Sequence, residues 1–430
     1  MVRVRLSVVH DSRSGLDRRT AVLVIAVSSL ALVALTAWLV PWDWVPGGDL
    51  TPMRPEQLFT PAEIARGEAF AEQRRLLAWS SYAVSLLVAA GLGLTPLGSA
   101  LLRRVFGRFH WVAGVVGGVG AVLLTGRIVT LPFALLIRQQ NVTYGLTTQG
   151  PFGWVRDQAV SFLVGWVTTA LLVLALVACA RRWTRRWYVA AGAVAALFTV
   201  LGSYLYPVVV EPLFNDFTPM RDGDFRSSVL RLAEKEGVDV TDVLVADASR
   251  RTTTLNAYVS GFGDTRRVVV YDTLLESLPA DEALVVVAHE LAHAKHNDVL
   301  LGTGLGVLGG VGGVALLALV LDTAWVGRRS GSRGASDPAA IALLMALAAV
   351  GSFVASPVIN TVSRSVEVRA DRDSLAATRA DREFVAMQRQ LALRAVHDPT
   401  PPQWSQWWFG SHPTALQRAG LPASLRGAAE

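Results

Sequence analysis

Charge is scarce in this chain. Only 17% of its 430 residues are Asp, Glu, Lys or Arg, against about a quarter in soluble domains. That deficit excludes an ordinary soluble enzyme and points to a membrane protein. Cysteine is scarcer still. The single Cys179, set in an apolar run, rules out a disulfide framework and a cysteine metal site, and reads as a small apolar helix residue. There is no internal repeat and no low-complexity tract, which excludes repeat architectures. The basic balance, 40 Lys and Arg against 34 Asp and Glu, does not call for nucleic acid as a partner. The arginines sit in short loops beside apolar runs, as in membrane proteins whose short loops stay in the cytoplasm.

Apolar sequence, by contrast, is abundant. Seven segments are long enough to cross a hydrocarbon core, which takes roughly 20 helical residues: 21–40, 77–101, 111–137, 158–180, 188–206, 299–321 and 339–359. The first lacks an A-x-A-type exit and reads as a retained anchor, not a cleaved signal. The third contains Arg127 and Pro132. The sixth is glycine-rich from Gly302 to Gly313, which suits close helix approach. The division expected is a membrane region 1–206 with five spans, a polar folded domain 207–298, two further spans in 299–359, and a second polar segment 360–430. Within 207–298, helical spacing from Asp222 to Glu236, short strands at 243–245, 259–263 and 266–271, and a helix opening at Pro279 predict a small α+β domain. Segment 360–430 reads as helical to about Ala395 and then Pro- and Trp-rich.

The chemistry is carried by His289-Glu290-Leu291-Ala292-His293. H-E-x-x-H on a helix sets two imidazoles one turn apart, able to reach one zinc ion, with the carboxylate between them free to act as general base. A hydrolytic site of this kind needs a third protein ligand and leaves the fourth position to water. Glu367 is the candidate, because it follows a membrane span as HELAH precedes one, and two spans return the chain to the same side. Asp371, one turn further on, is placed to accept the free N–H of a ligating histidine. The competing expectation is a solvated helix in which Glu367 and Asp371 pair with Arg364, Arg369 and Arg372. His296 is expected outside the ligand set, since three histidines and a glutamate would close the site. One zinc per chain would lower the pKa of a bound water and polarise the scissile carbonyl, with Glu290 taking the proton. His412, in Gly410-Ser411-His412-Pro413, is the candidate donor to the oxyanion, with Arg418 as a helper on the substrate side.

These residues resemble a known family. Pro212-Leu213-Phe214-Asn215-Asp216-Phe217-Thr218-Pro219 looks like its entry to the catalytic domain. The runs 256–263 and 266–275 are similar to its strand pair before the zinc helix. Together with HELAH, E-x-x-x-D at Glu367 and Asp371, and S-H-P at 411–413, they resemble the type I CAAX prenyl endopeptidases. Leu131-Pro132-Phe133 and Tyr144-Gly145-Leu146-Thr147 extend the likeness over most of 125–425. The resemblance implies a mainly α, polytopic seven-helix membrane barrel around a water-filled chamber, capped by a small α+β zinc-metalloprotease domain. It implies that Asn256, Ala257 and Tyr258, on an edge strand, bind the substrate backbone by strand addition. Ala292 stands where the family commonly has glycine. The Arg-, Ala- and Val-rich composition is that of a high-GC bacterium, which favours membrane-protein quality control over prenylated substrates.

Sidedness is where the readings diverge. Arg3, Arg5, Arg13, Arg18 and Arg19, then Arg103, Arg104 and Arg108, then Arg181, Arg182, Arg185 and Arg186, then Arg328, Arg329 and Arg333 all fall on one face, opposite the catalytic domain. The positive-inside rule therefore places the zinc site outside the cytoplasm, whereas the family resemblance implies a cytoplasmic site. The expected partners are a peptide or membrane-protein substrate and the lipid bilayer. The alternative function is a seven-span transporter or receptor with a non-catalytic zinc site.

Overall fold

The computed structural model describes residues 15–261 and 263–429. Arg3, Arg5, Arg13 and Phe262 lie outside the described residues. In chain order the first half forms helices α1 (Arg18–Leu39), α2 (Pro55–Leu58), α3 (Pro61–Gly93), α4 (Pro96–Phe106), α5 (Trp111–Thr143), α6 (Pro151–Arg182) and α7 (Trp187–Leu205). Their starts follow capping chemistry. Asp17 accepts from the Thr20 amide, and Thr60 with Glu63 forms a capping box ahead of Pro61.

The expected span 77–101 is corrected here: α3 stops at Gly93 and α4 starts anew at Pro96. Thr95 caps the second helix, and proline is favourable at a first helical position but not inside a continuing helix. Apolar sequence simply runs through the break. The chain continues with β1 (Phe217–Pro219), α8 (Asp224–Lys235), β2 (Asp242–Ala246), β3 (Ala257–Ser260), β4 (Arg267–Tyr271), α9 (Asp272–Ser277) and α10 (Ala280–Lys295). It closes with α11 (Asp298–Leu321), α12 (Ala324–Ser330), α13 (Ile341–Thr378), α14 (Asp381–Arg394), α15 (Gln403–Phe409) and α16 (Ala415–Ala429).

Among the described residues seven helical segments are long and apolar enough to cross a membrane. Their packing order is α11, α7, α6, α5, α3, α13 and back to α11, with α1 laid against α11. The ring is packed at one end, where Val115 and Val119 of α5, Val173 and Val177 of α6 and Ile341 and Leu344 of α13 share one buried cluster, and is sparsely buried elsewhere. In the most apolar windows of Trp111–Thr143 and Trp187–Leu213 no residue is buried. Helices around a solid core would each bury a face. Glycine serves the neighbour contacts: a Cβ at Gly312 of α11 would lie 2.6 Å from Ser28 Oγ of α1. The arginine-rich loops gather at one end, through Arg18–Asp322 at 2.7 Å, Arg186–Asp17 at 2.8 Å and Arg103–Asp337 at 3.1 Å.

At the other end lies a four-stranded sheet of order β1-β2-β4-β3, with β2 and β4 parallel and both outer pairs antiparallel. Its buried face, with Val243, Val268 and Val270, packs on Val285, Ala288 and Leu291 of α10. Thr147 Oγ1 donates to Arg251 O (2.7 Å) and Thr253 Oγ1 to Gly145 O (2.8 Å), tying the α5–α6 loop to this domain. The linker 41–60, expected to belong to the membrane region, also joins the domain. Val45 is buried in its core, and Trp44 Nε1 donates to Ser365 Oγ at 3.0 Å.

Candidate metal centre

Burying Val285, Ala288 and Leu291 of α10 against the sheet rotates His289 and His293 toward α13. The last span and the catalytic segment are one helix. α13 runs unbroken from the membrane to Thr378, so Glu367 and Asp371 are held on a rigid rod beside α10. Both are buried, and neither pairs with an arginine of its own helix. Arg369 pairs with Asp298, Arg372 donates to Asp43 O, and Arg364 binds loop carbonyls. The solvated-helix expectation is thereby excluded.

Three donor groups converge. His289 Nε2 and His293 Nε2 are 3.1 Å apart, Glu367 Oε2 is 3.3 Å from the first, and Glu367 Oε1 is 3.6 Å from the second. The other ring nitrogens are already engaged: His289 Nδ1 lies 2.9 Å from Asp371 Oδ1, and His293 Nδ1 lies 2.8 Å from Asp298 Oδ2. Each neutral imidazole donates from Nδ1 to its carboxylate and keeps a lone pair on Nε2. Two lone pairs and a carboxylate then face one point without a hydrogen among them. Glu367 Oε2 is buried with no hydrogen bond. Such a set repels itself unless a cation sits at its centre. Tetrahedral bonds of about 2.0–2.1 Å imply ligand separations of about 3.3 Å, which the observed 3.1–3.6 Å bracket, so these residues fit zinc.

The electrostatics state the same demand. Burial alone would lower the His289 pKa, but the Asp371 and Glu367 carboxylates beside its two ring nitrogens outweigh it and lift the metal-free ring to about 10. Protons and metal therefore compete for one position. Burial pushes the Glu290 carboxyl above the ordinary glutamate range, and no hydrogen bond to it occurs among the described residues. His412, at the turn before α16, has Nε2 3.4 Å from Glu367 Oε1, while Ser411 Oγ lies 2.9 Å from its Nδ1. With the hydroxyl donating to Nδ1, Nε2–H points to the metal side of the site.

Arg418 is placed differently from the substrate side expected. Its Nε and Nη2 bind the two Asp371 oxygens at 2.7 and 2.5 Å, which commits the guanidinium to the support of His289. His296 lies apart from the cluster, 2.8 Å from Asp373 Oδ2. On the substrate side, β3 is an edge strand packed near α10, with Asn256 exposed just before it. Ala257 is buried, so it can offer only its backbone. Tyr258 Oη donates to Glu211 Oε2 at 3.2 Å, and burial raises the phenol's pKa and keeps it a donor.

Asp298 was not foreseen. Asn297 adopts φ +54°, turning the chain so that the first residue of α11 folds back on His293. An Asn-Asp pair straight after the zinc helix was the available signal. Asp298→Ala is expected to weaken metal binding about 10- to 100-fold, whereas His296→Ala leaves it unchanged. Competition with a chromophoric chelator reads both.

A ring of membrane helices with an H-E-x-x-H centre at one end defines an integral-membrane metallopeptidase. Residues 219–420 match the model of peptidase family M48, and residues 78–216 match that of the CAAX prenyl protease N-terminal region of five membrane helices. The chain belongs to this family. It is 30% identical to an uncharacterized metalloprotease, YhfN, of Bacillus subtilis (strain 168), over 70% of this chain and 72% of that one. It is 37% identical to CAAX prenyl protease 1 of Saccharomyces cerevisiae, over 26% and 25% of the two chains. Its fold matches the crystal structure of S. mikatae Ste24p with a TM-score of 0.76, at 18% identity, over 93% of this chain and 98% of that one.

Proposed function

We propose that this membrane metallopeptidase hydrolyses peptide bonds with one zinc held by His289, His293 and Glu367, and that its substrates are membrane proteins or hydrophobic peptides. The observation that carries this reading is the convergence of two Nε2 lone pairs and the Glu367 carboxylate on one point, beside Glu290, to which no hydrogen bond occurs among the described residues. A zinc ion bound there would lower the pKa of a water and polarise the scissile carbonyl. Glu290 takes the proton of the attacking water and passes it to the leaving amine. The His412 Nε2–H donates to the oxygen on which charge develops. Asp371 and Asp298 hold the two imidazoles in the tautomer that leaves Nε2 free. Asn256, Ala257 and Tyr258 present the free edge of β3 to an extended substrate backbone.

The high-GC composition supports quality control of membrane proteins over prenyl processing. The gathering of arginine loops opposite the sheet supports a catalytic domain outside the cytoplasm. A reporter fused after Glu430 checks the sidedness: activity only outside the cytoplasm is expected. Hydrolysis is tested on hydrophobic peptides with the purified protein in liposomes. Cleavage should stop with a chelator and return with zinc. A zinc-loaded protein that cleaves nothing would favour the transporter or receptor alternative.

A further inference from the structure

We propose that Arg364 is a positioning residue for His412, holding that imidazole at the metal centre through the carbonyls of the loop that carries it. The inference rests on the reading of His412 as donor to the developing oxyanion.

Arg364 lies on α13 one turn before Glu367, so the two project from neighbouring positions of one helix face. It is buried, and among the described residues no ion pair with a carboxylate forms on it. A buried charge without a counterion is costly unless dipoles surround it. Here Nη1 donates to Gly410 O at 2.6 Å and Gln406 O at 3.1 Å, and Nη2 donates to Thr361 Oγ1 at 2.9 Å. Both carbonyls belong to the C-terminal end of α15, where carbonyls carry partial negative charge; Gln406 O also accepts from the Gly410 amide.

Two further bonds hold the same loop. Gln406 Nε2 donates to His412 O at 2.6 Å, and Asn360 Nδ2, one turn before Arg364, donates to Trp408 O at 2.5 Å. Gly410 packs so closely that a Cβ there would lie 2.5 Å from Gln406 Oε1. The His412 side chain itself is 59% exposed, and among the described residues its ring nitrogens have hydrogen-bond or ion-pair partners in Ser411 and Glu367 alone. Its place is therefore set through its backbone. Because α13 bears both Glu367 and the clamp, one rigid element fixes the distance between metal ligand and donor. Donors aimed in advance at developing charge stabilise a transition state most, and small misplacements are costly.

The test is steady-state kinetics on a hydrophobic peptide for Arg364→Gln, His412→Ala and the double variant, with metal content and Tm measured alongside. Arg364→Gln is expected to lower kcat about 10- to 100-fold, with KM, zinc stoichiometry and Tm near wild type. Arg364→Lys, able to reach one carbonyl, should restore part of it. The double variant should be no slower than His412→Ala alone. Independent losses that multiply in the double variant, or an unchanged kcat in Arg364→Gln, would overturn the positioning role. An unchanged kcat in His412→Ala would instead remove the underlying reading of His412. Should Arg364→Gln not fold, Arg364→Lys carries the test on its own: a kcat below wild type at unchanged KM and zinc content is expected, and a wild-type kcat would overturn the role.

Discussion

Glu290→Gln should lower kcat by about 10²- to 10⁴-fold while the protein keeps its metal and its fold. Glutamine matches glutamate in shape but cannot accept the proton of the attacking water. The side chain is half-buried, and no hydrogen bond to its carboxylate occurs among the described residues, so the change orphans no partner. In the metal-free protein the raised pKa adds one expectation with definite sign. For stability, the folded state holds this proton more tightly than the unfolded chain. Stability is therefore lost as pH climbs from the unfolded to the folded pKa of Glu290. Glutamine lacks that loss, so the metal-free variant should melt no lower than the metal-free wild type at neutral pH. A fall of less than about tenfold in kcat would remove Glu290 from the base role.

Asp371→Ala should damage stability and metal binding together. Asp371 is fully buried and serves two partners, the Arg418 guanidinium through both oxygens and His289 Nδ1 through one. Without it Arg418 remains as a nearly buried charge lacking its counterion, a loss of about 3–5 kcal/mol. His289 also loses the acceptor that fixes its tautomer, which should cost about 10- to 100-fold in metal affinity. The two effects separate in Asp371→Ala/Arg418→Met. Removing the stranded charge should recover much of the stability and none of the affinity. Thermal melts read the first and chelator competition reads the second; an Asp371→Ala protein that melts like wild type would contradict the buried-pair description.

Much of this site was legible in the sequence because it obeys helical periodicity. His289 and His293 are one turn apart, Glu367 and Asp371 likewise, and two spans bring the pairs together. Long-range burial decided what periodicity could not. Arg418 reads as a free cation near a catalytic loop, yet its direction depends on α16, a helix that continues through Pro422 where only Pro- and Trp-rich sequence was expected. Asp298 reaches His293 only because Asn297 takes a left-handed conformation. The second span was overextended because hydrophobicity continues past Gly93, although Thr95-Pro96 carried the cap that ends it. The linker 41–60 gave no periodic signal, since a few side chains such as Trp44 and Val45 anchor it.

Zinc K-edge X-ray absorption on the purified wild type and Glu367→Gln tests the metal centre most directly. One zinc per chain is expected in the wild type, bound by two imidazole nitrogens and carboxylate or water oxygen at about 2.0–2.1 Å, with a large loss of bound zinc in Glu367→Gln. A protein that binds no stoichiometric metal, or whose zinc keeps the same content and ligand shell after Glu367→Gln, would contradict it.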